Sequence, residues 1–129
     1  MATCVFHHIP ESEHVHWLYE LRRILKKGGL IIIFEHNPYN PLTISTVKHC
    51  PFDVNAKLIS AKKFKKLFNV VGFDKTDSVF RIFFPGFLSF TRPLEKYIKT
   101  IPLGAQYYLF AKKLYFPLFL AGHVRWIMN

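Results

Sequence analysis

Residues 28–37 have the sequence GGLIIIFEHN, which is the strongest indication of the fold class. The run 30–34 is continuously apolar and largely β-branched, without alternation, which predicts a strand covered on both faces in a parallel sheet. Gly28 suits the end of a preceding helix. Glu35, His36 and Asn37 follow the run, so polar groups are expected at the carboxyl end of this strand.

The residues upstream predict a second strand and a helix. Residues 3–6 form a short β-prone run, and Pro10 with Glu11 and Glu13 is typical of a helix start. Apolar residues then recur at helical spacing up to Leu25. Because a right-handed crossover makes the two strands parallel, their carboxyl ends should meet at one edge of the sheet. That edge would also carry His7 and His8.

The residues downstream complete a small sheet. Three prolines predict a loop over 38–51 with a short helix near 44–49, and Ser60 and Gly72 mark the start and stop of an amphipathic helix. Residues 79–84 and 106–111 predict two more strands, and the insertion 85–104 holds a helix near 93–99. We therefore expect an α/β fold, a partial Rossmann-like sheet of about four strands with flanking helices.

The composition restricts the classes of protein that need to be considered. Half of the 129 residues are hydrophobic, enough for one buried core, and the net charge of +10 favours anionic partners. Cys4 and Cys50 form no CxxC pair, so a cytoplasmic location is expected. The first ten residues show no signal-peptide pattern, and the apolar segment 114–122 is far shorter than the roughly 20 residues of a membrane span.

Several segments together resemble a known family. VFHHIP (5–10), ELRRILKKGG (20–29), FEHNPYNPLT (34–43), CPFD (50–53), RIFFP (81–85) and PLGAQY (102–107) are similar, in order, to the C-terminal half of class I S-adenosylmethionine-dependent methyltransferases that act on small molecules. The resemblance covers roughly residues 4–112, so we expect this half-domain over 1–112 and an unmatched tail over 113–129. It implies a final antiparallel strand at 106–111, with methylation as the activity. The GxGxG cofactor loop of the family is absent, as is its ribose-binding acidic residue.

The resemblance also implies roles for the polar edge. Phe6 and His7 would flank S-adenosylmethionine, and His8 would be the catalytic base, since a histidine suits proton removal near neutral pH. The alternative is that the histidines merely cap the strand end. Glu35, His36 and Asn37 would contact the acceptor substrate, with a polar turn as the alternative.

Other readings of the charged and histidine-rich segments are less favoured. A metal site at His7, His8, His36 and Glu35 is conceivable, but no HxxxH or CxxC pair fixes its geometry, and no metal is assigned. His14 and His16 are expected in solvent. A nucleic-acid or anionic membrane surface is an alternative partner for the lysines at 62, 63, 65 and 66, but their spacing is typical of the solvent-exposed side of an amphipathic helix.

The resulting functional expectation is methyl transfer from S-adenosylmethionine to a small-molecule acceptor, by a domain that is inactive alone because it binds the cofactor weakly. The alternative is a non-catalytic binding or scaffold module of the same fold. The unpaired edge at residues 3–6 predicts self-association or a complementary N-terminal half as partner.

Overall fold

The computed structural model describes residues 1–84 and 86–113, which form one mixed sheet with helices. The strands are β1 (Ala2–Thr3), β2 (Leu30–His36), β3 (Asp74–Arg81) and β4 (Gln106–Lys112). The helices are α1 (His14–Ile24), α2 (Pro41–His49), α3 (Ala61–Val71) and the short α4 (Glu95–Ile98). Short 3₁₀ turns occupy Phe6–His8, Glu11–Glu13, Pro51–Asp53 and Gly86–Leu94.

The sheet has the strand order β1-β2-β4-β3. β1 pairs with β2 in parallel, and β4 runs antiparallel between β2 and β3. This confirms the expected α/β class and the antiparallel final strand. The strand predicted at residues 3–6 is shorter than expected, because Cys4 has a positive φ of 53° and the chain turns into the 3₁₀ segment Phe6–His8.

The start and stop signals of α3 lie where they were expected, but α1 ends at Ile24, before the predicted stop at Gly28, because Leu25 is already extended with a ψ of 135°. The Ser60 hydroxyl accepts the backbone N–H of Lys63, and Gly72 ends α3 in the left-handed conformation with a φ of 84°. α2 is longer than the predicted 44–49 helix, since the Asn40 side chain caps it and Pro41 occupies its first turn. β3 begins at Asp74, five residues before the predicted start, and it ends at Arg81 rather than residue 84, because the next residue, Ile82, has a φ of 60°.

The core lies on one face of the sheet, beneath α1 and α3. Inward residues of paired strands, such as Ile33 and Leu109, meet Leu18, Phe64 and Phe68 from the two helices, and all of these are fully buried. On the opposite face, Ile32, Phe34 and Tyr108 are only half-buried. The prediction that β2 is covered on both faces was therefore wrong for the described residues. Helices α1 and α3 pack on one face of the sheet, and the other face is only partly covered.

No helix in residues 1–84 and 86–113 is long and apolar enough to cross a membrane. The apolar segment 114–122 lies outside the described residues, as does the predicted unmatched tail 113–129 apart from Lys113 itself.

Candidate functional site

The side chain of Glu35 joins the carboxyl ends of β1 and β2. One carboxylate oxygen accepts the backbone N–H groups of Val5 and Phe6 at 3.1 and 2.8 Å, and the other lies 2.7 Å from Nδ1 of His7. Glu35 is 1% exposed, and these three donors compensate the burial of its carboxylate. Glu35 therefore fixes both the turn Phe6–His8 and the orientation of the His7 ring.

His7 and His8 converge on Asp53. Oδ1 of Asp53 lies 3.5 Å from Nε2 of His7 and 3.3 Å from Nε2 of His8. Burial disfavours the charged form of His7, but the hydrogen bond to Glu35 and the charges of both carboxylates outweigh it and raise the pKa of His7. A buried histidine thus lies between two carboxylates, while the His8 side chain remains 44% exposed.

Asp53 was not among the residues predicted from the sequence. It ends the 3₁₀ turn Pro51–Asp53, which follows α2. A hydrogen bond from Cys50 is the main cause that holds the pKa of Asp53 below its usual value, although burial opposes it. The CPFD segment was the available signal, yet nothing in its spacing shows that the loop returns to the end of β1.

A cavity of about 460 Å³ opens at the carboxyl end of β2. Its wall includes His36, together with Asp53 on the side of the histidine cluster. Burial, followed by the neighbouring His7, lowers the pKa of His36, and the two rings lie 5.3 Å apart between centroids. This shift favours the neutral form of His36, whose ring can accept a proton. The remaining lining comes from α2, from the loops around it and from the first residue of β4; these residues are Asn40, Leu42, Thr43, Thr46, Val47, Cys50, Ile82, Phe83, Phe84, Ala105 and Gln106.

Asn37 supports the cavity from behind. It is fully buried, and its side-chain N–H₂ donates to the carbonyls of Pro102 and Gly104 at 3.0 and 2.7 Å. Its side-chain oxygen accepts the backbone N–H of Tyr39. Asn37 thus holds the loop before β4 against the end of β2, and Ala105 of that loop is part of the cavity wall.

Phe6 and His14 lie in the core. The Phe6 ring is 2% exposed and packs 4.9 Å from the Phe64 ring, so its side chain faces α3. The expectation of a solvated His14 was wrong: its Nε2 donates to the carbonyls of Phe6 and Ile9, and it is 4% exposed. His14 faces inward because helix α1 turns its first residue toward the turn Phe6–His8. His16 is exposed, as expected.

The described residues hold no glycine-rich connection of the kind that grips a nucleoside cofactor. Gly28 and Gly29 lie at the amino end of β2, where Gly28 donates to the carbonyl of Lys113, and so they are remote from the polar edge. No strand-to-helix connection in the described ranges contains a pair of glycines. The cluster can position a small molecule and move a proton, but the described residues form no phosphate-type or nucleoside-type cradle.

No protein-family model matches the sequence, and neither does any curated protein. Solved structures do match. A SAM-dependent methyltransferase from Archaeoglobus fulgidus has a TM-score of 0.68 at 15% identity, and the match covers 88% of this chain and 57% of that one.

A SAM-dependent methyltransferase from Thermotoga maritima, described as a possible histamine N-methyltransferase, has a TM-score of 0.58 at 23% identity, with 77% and 48% of the two chains covered. The chain thus spans about half the length of these two proteins. Their likeness shows the fold: this chain has the Rossmann-like fold of the SAM-dependent methyltransferases.

Proposed function

We propose that this chain forms the acceptor side of a methyl-transfer site that uses S-adenosylmethionine and a small-molecule acceptor. The observation that carries the proposal is the cavity of about 460 Å³ at the carboxyl end of β2, with His36 in its wall. Open α/β sheets bind their ligands at this end of the strands. The methyltransferase fold and the position of the cavity support the same activity.

The lining of the cavity suggests the chemistry of the acceptor. Val47 and Phe83 give an apolar wall, while Thr43, Thr46 and Gln106 offer a few hydrogen-bonding groups. Such a wall suits a small, largely apolar molecule that carries one hydroxyl or amine group. The cavity volume lies within the usual range for small-molecule sites, about 300–1,000 Å³.

Methyl transfer is a displacement in which the enzyme aligns the nucleophile and removes its proton. His36 is our first candidate for proton removal, because it lines the cavity. His8 is the second, on the resemblance that suggested it and on its contact with Asp53. In this proposal Glu35 and Asn37 support the site indirectly: Glu35 orients His7, and Asn37 holds the loop that forms part of the cavity wall.

The cofactor supplies the activated methyl group when it is bound. Phe6 and His7 were expected beside the cofactor, but both side chains are buried against protein. They would therefore form part of the surface beside the cofactor without binding it through their side chains. The glycine-rich side of the site is proposed to come from a segment or partner outside the described residues. In this proposal the chain alone does not catalyse methyl transfer.

Acceptor binding can be tested on the full chain by nuclear magnetic resonance with a panel of small apolar phenols and amines. Saturable shifts are expected at the amides of Thr43, Thr46 and Gln106. Thr46→Trp should abolish the shifts by filling the cavity, whereas Ser45→Trp, one position along α2 and outside the lining, should retain them. The absence of any ligand-induced shift at the cavity would overturn the proposed acceptor site.

The second candidate function is ligand binding without catalysis, favoured by the lack of a glycine-pair turn in the described residues. A methyl-transfer assay separates the two, with the product detected by its gain of one methyl group when the complementary half is supplied. In such an active assembly, His36→Gln should lower turnover by roughly 10²- to 10⁴-fold with little change in cofactor affinity. The same loss in His8→Ala instead would assign proton removal to His8, and His16→Ala should have no effect.

A further inference from the structure

Three potential ligand atoms meet beside the cavity. One ring nitrogen of His7, one ring nitrogen of His8 and a carboxylate oxygen of Asp53 all lie within 4.8 Å of one another. They come from the turn after β1 and from the turn Pro51–Asp53, so the fold rather than local sequence brings them together.

The two separations from Asp53 are close to those of a tetrahedral metal site. Two ligands with bonds of about 2.0–2.1 Å to a zinc ion, at a tetrahedral angle, are separated by roughly 3.3–3.4 Å. The measured separations from Asp53 are 3.5 Å to His7 and 3.3 Å to His8. The His8 side chain is 44% exposed, so its ring can rotate to adjust its separation from His7.

Glu35 provides the outer partner that metal-binding histidines require. Its carboxylate lies 2.7 Å from Nδ1 of His7 and accepts the N–H there. In the neutral imidazole the lone pair is then on Nε2, the atom that lies 3.5 Å from Asp53. Histidines that bind zinc usually donate their other ring N–H to a carboxylate in this way, which fixes the orientation of the ring.

We propose that His7, His8 and Asp53 bind one divalent transition-metal ion of the zinc class. Two imidazole nitrogens and one carboxylate are the donors that zinc prefers, whereas calcium and magnesium prefer sets made only of oxygen. The inference goes beyond methyl transfer and does not depend on it. A three-residue set leaves a coordination position for an external donor, and Asp53 places it beside the cavity.

Ion binding and proton acceptance at His8 use the same lone pair, so the two exclude each other. An occupied site would leave proton removal to His36, which is not among the three ligands. This division of roles requires no change in the backbone.

The test is zinc binding to the full chain, measured by calorimetry with Zn²⁺ alone. One ion per chain is expected. His8→Ala and Asp53→Asn should each weaken binding at least tenfold, and Glu35→Gln should weaken it by roughly 10- to 100-fold as an outer-shell change. His16→Ala and His49→Ala remove exposed histidines outside the cluster and should leave the affinity unchanged. Unchanged affinity in a folded His8→Ala/Asp53→Asn double variant would overturn the site.

X-ray absorption of the zinc-loaded wild-type chain gives a second test that needs no variant. Two imidazoles in a shell at about 2.0–2.1 Å, without sulfur, are expected. A zinc–sulfur distance of about 2.3 Å would contradict the assignment, since it would mean binding at Cys4 or Cys50.

Discussion

Glu35 and His7 form a buried pair in which a carboxylate oxygen and the imidazole Nδ1 lie 2.7 Å apart, with both side chains no more than 2% exposed. The other oxygen of Glu35 accepts two backbone N–H groups of the neighbouring turn. One side chain of β2 therefore holds the end of β1, the turn after it and the orientation of the histidine that faces Asp53.

Replacement of Glu35 by glutamine should destabilise the fold. The amide cannot accept all three hydrogen bonds, so at least one buried donor loses its partner, at a cost of about 1–3 kcal/mol in the free energy of unfolding. Glu20→Gln, in an ion pair with Arg23 on the surface of α1, should change that free energy by no more than about 0.5 kcal/mol. Chemical denaturation compares the two variants, and equal stabilities would show that Glu35 does not hold this edge.

Gly104 lies against the end of β3 so closely that a side chain does not fit. A Cβ atom there would lie 2.5 Å from the carbonyl oxygen of Arg81 and 2.9 Å from its nitrogen. Gly104→Ala should therefore lower the free energy of unfolding by about 1–3 kcal/mol through overpacking. Gly86→Ala is the matched control, because a Cβ at Gly86 meets nothing within 4 Å. Similar melting temperatures for the two variants would contradict this packing of the loop that holds the cavity wall.

Tyr107 predicts a specific loss of stability in alkali. Its hydroxyl donates to the carbonyl of Ile59 at 2.7 Å, and burial, with a contribution from Glu35, raises the pKa of Tyr107 far above its usual value. Above about pH 10 the unfolded chain releases this proton but the folded chain keeps it, so stability present below that pH is lost as pH rises.

The expected slope is at most about 1.4 kcal/mol per pH unit. Tyr107→Phe should be less stable at neutral pH, by about 1–3 kcal/mol, because the carbonyl of Ile59 loses its partner. Its stability should nevertheless fall less steeply above about pH 10. Parallel profiles of unfolding free energy against pH for the two proteins would refute the assignment.

The edge at β1 predicts self-association. β1 pairs only with β2 in the described sheet, and its two residues, Ala2 and Thr3, carry no charge that would block a further strand. Sedimentation at several concentrations should show association in the wild type. Thr3→Lys should reduce it by placing a charge on the edge, whereas Ser45→Lys on α2 should not. A wild-type chain that stays monomeric across the micromolar range would show that the edge is covered.

Local signals in the sequence predicted much of the fold. Ser60 and Gly72 mark the two ends of α3, because helix capping depends on only one or two residues. The apolar run 30–34 predicted the central strand β2. Side-chain partners at long range could not be read in this way. Asp53 meets His7 only because the loop after α2 folds back, and His14 is buried only because two carbonyls near β1 lie within reach of its ring.

The outline of the site could also be predicted from the sequence. The convergence of His7, His8, Glu35 and His36 follows from parallel strands, whose carboxyl ends share one edge. Which of them face the cavity depends on the pleat of β2 and on its packing: Glu35 points into the core, while His36 points to the cavity. Their contacts with acceptor and cofactor stay predictions.

We propose that this chain carries the acceptor side of a methyl-transfer site and that the cofactor side comes from outside the described residues. Calorimetric titration of the full chain with S-adenosylmethionine measures whether the chain binds the cofactor alone. No saturable binding is expected in the micromolar range, because the described residues hold no glycine-rich connection for the cofactor. A low-micromolar dissociation constant for the isolated chain would show that no further segment or partner is needed.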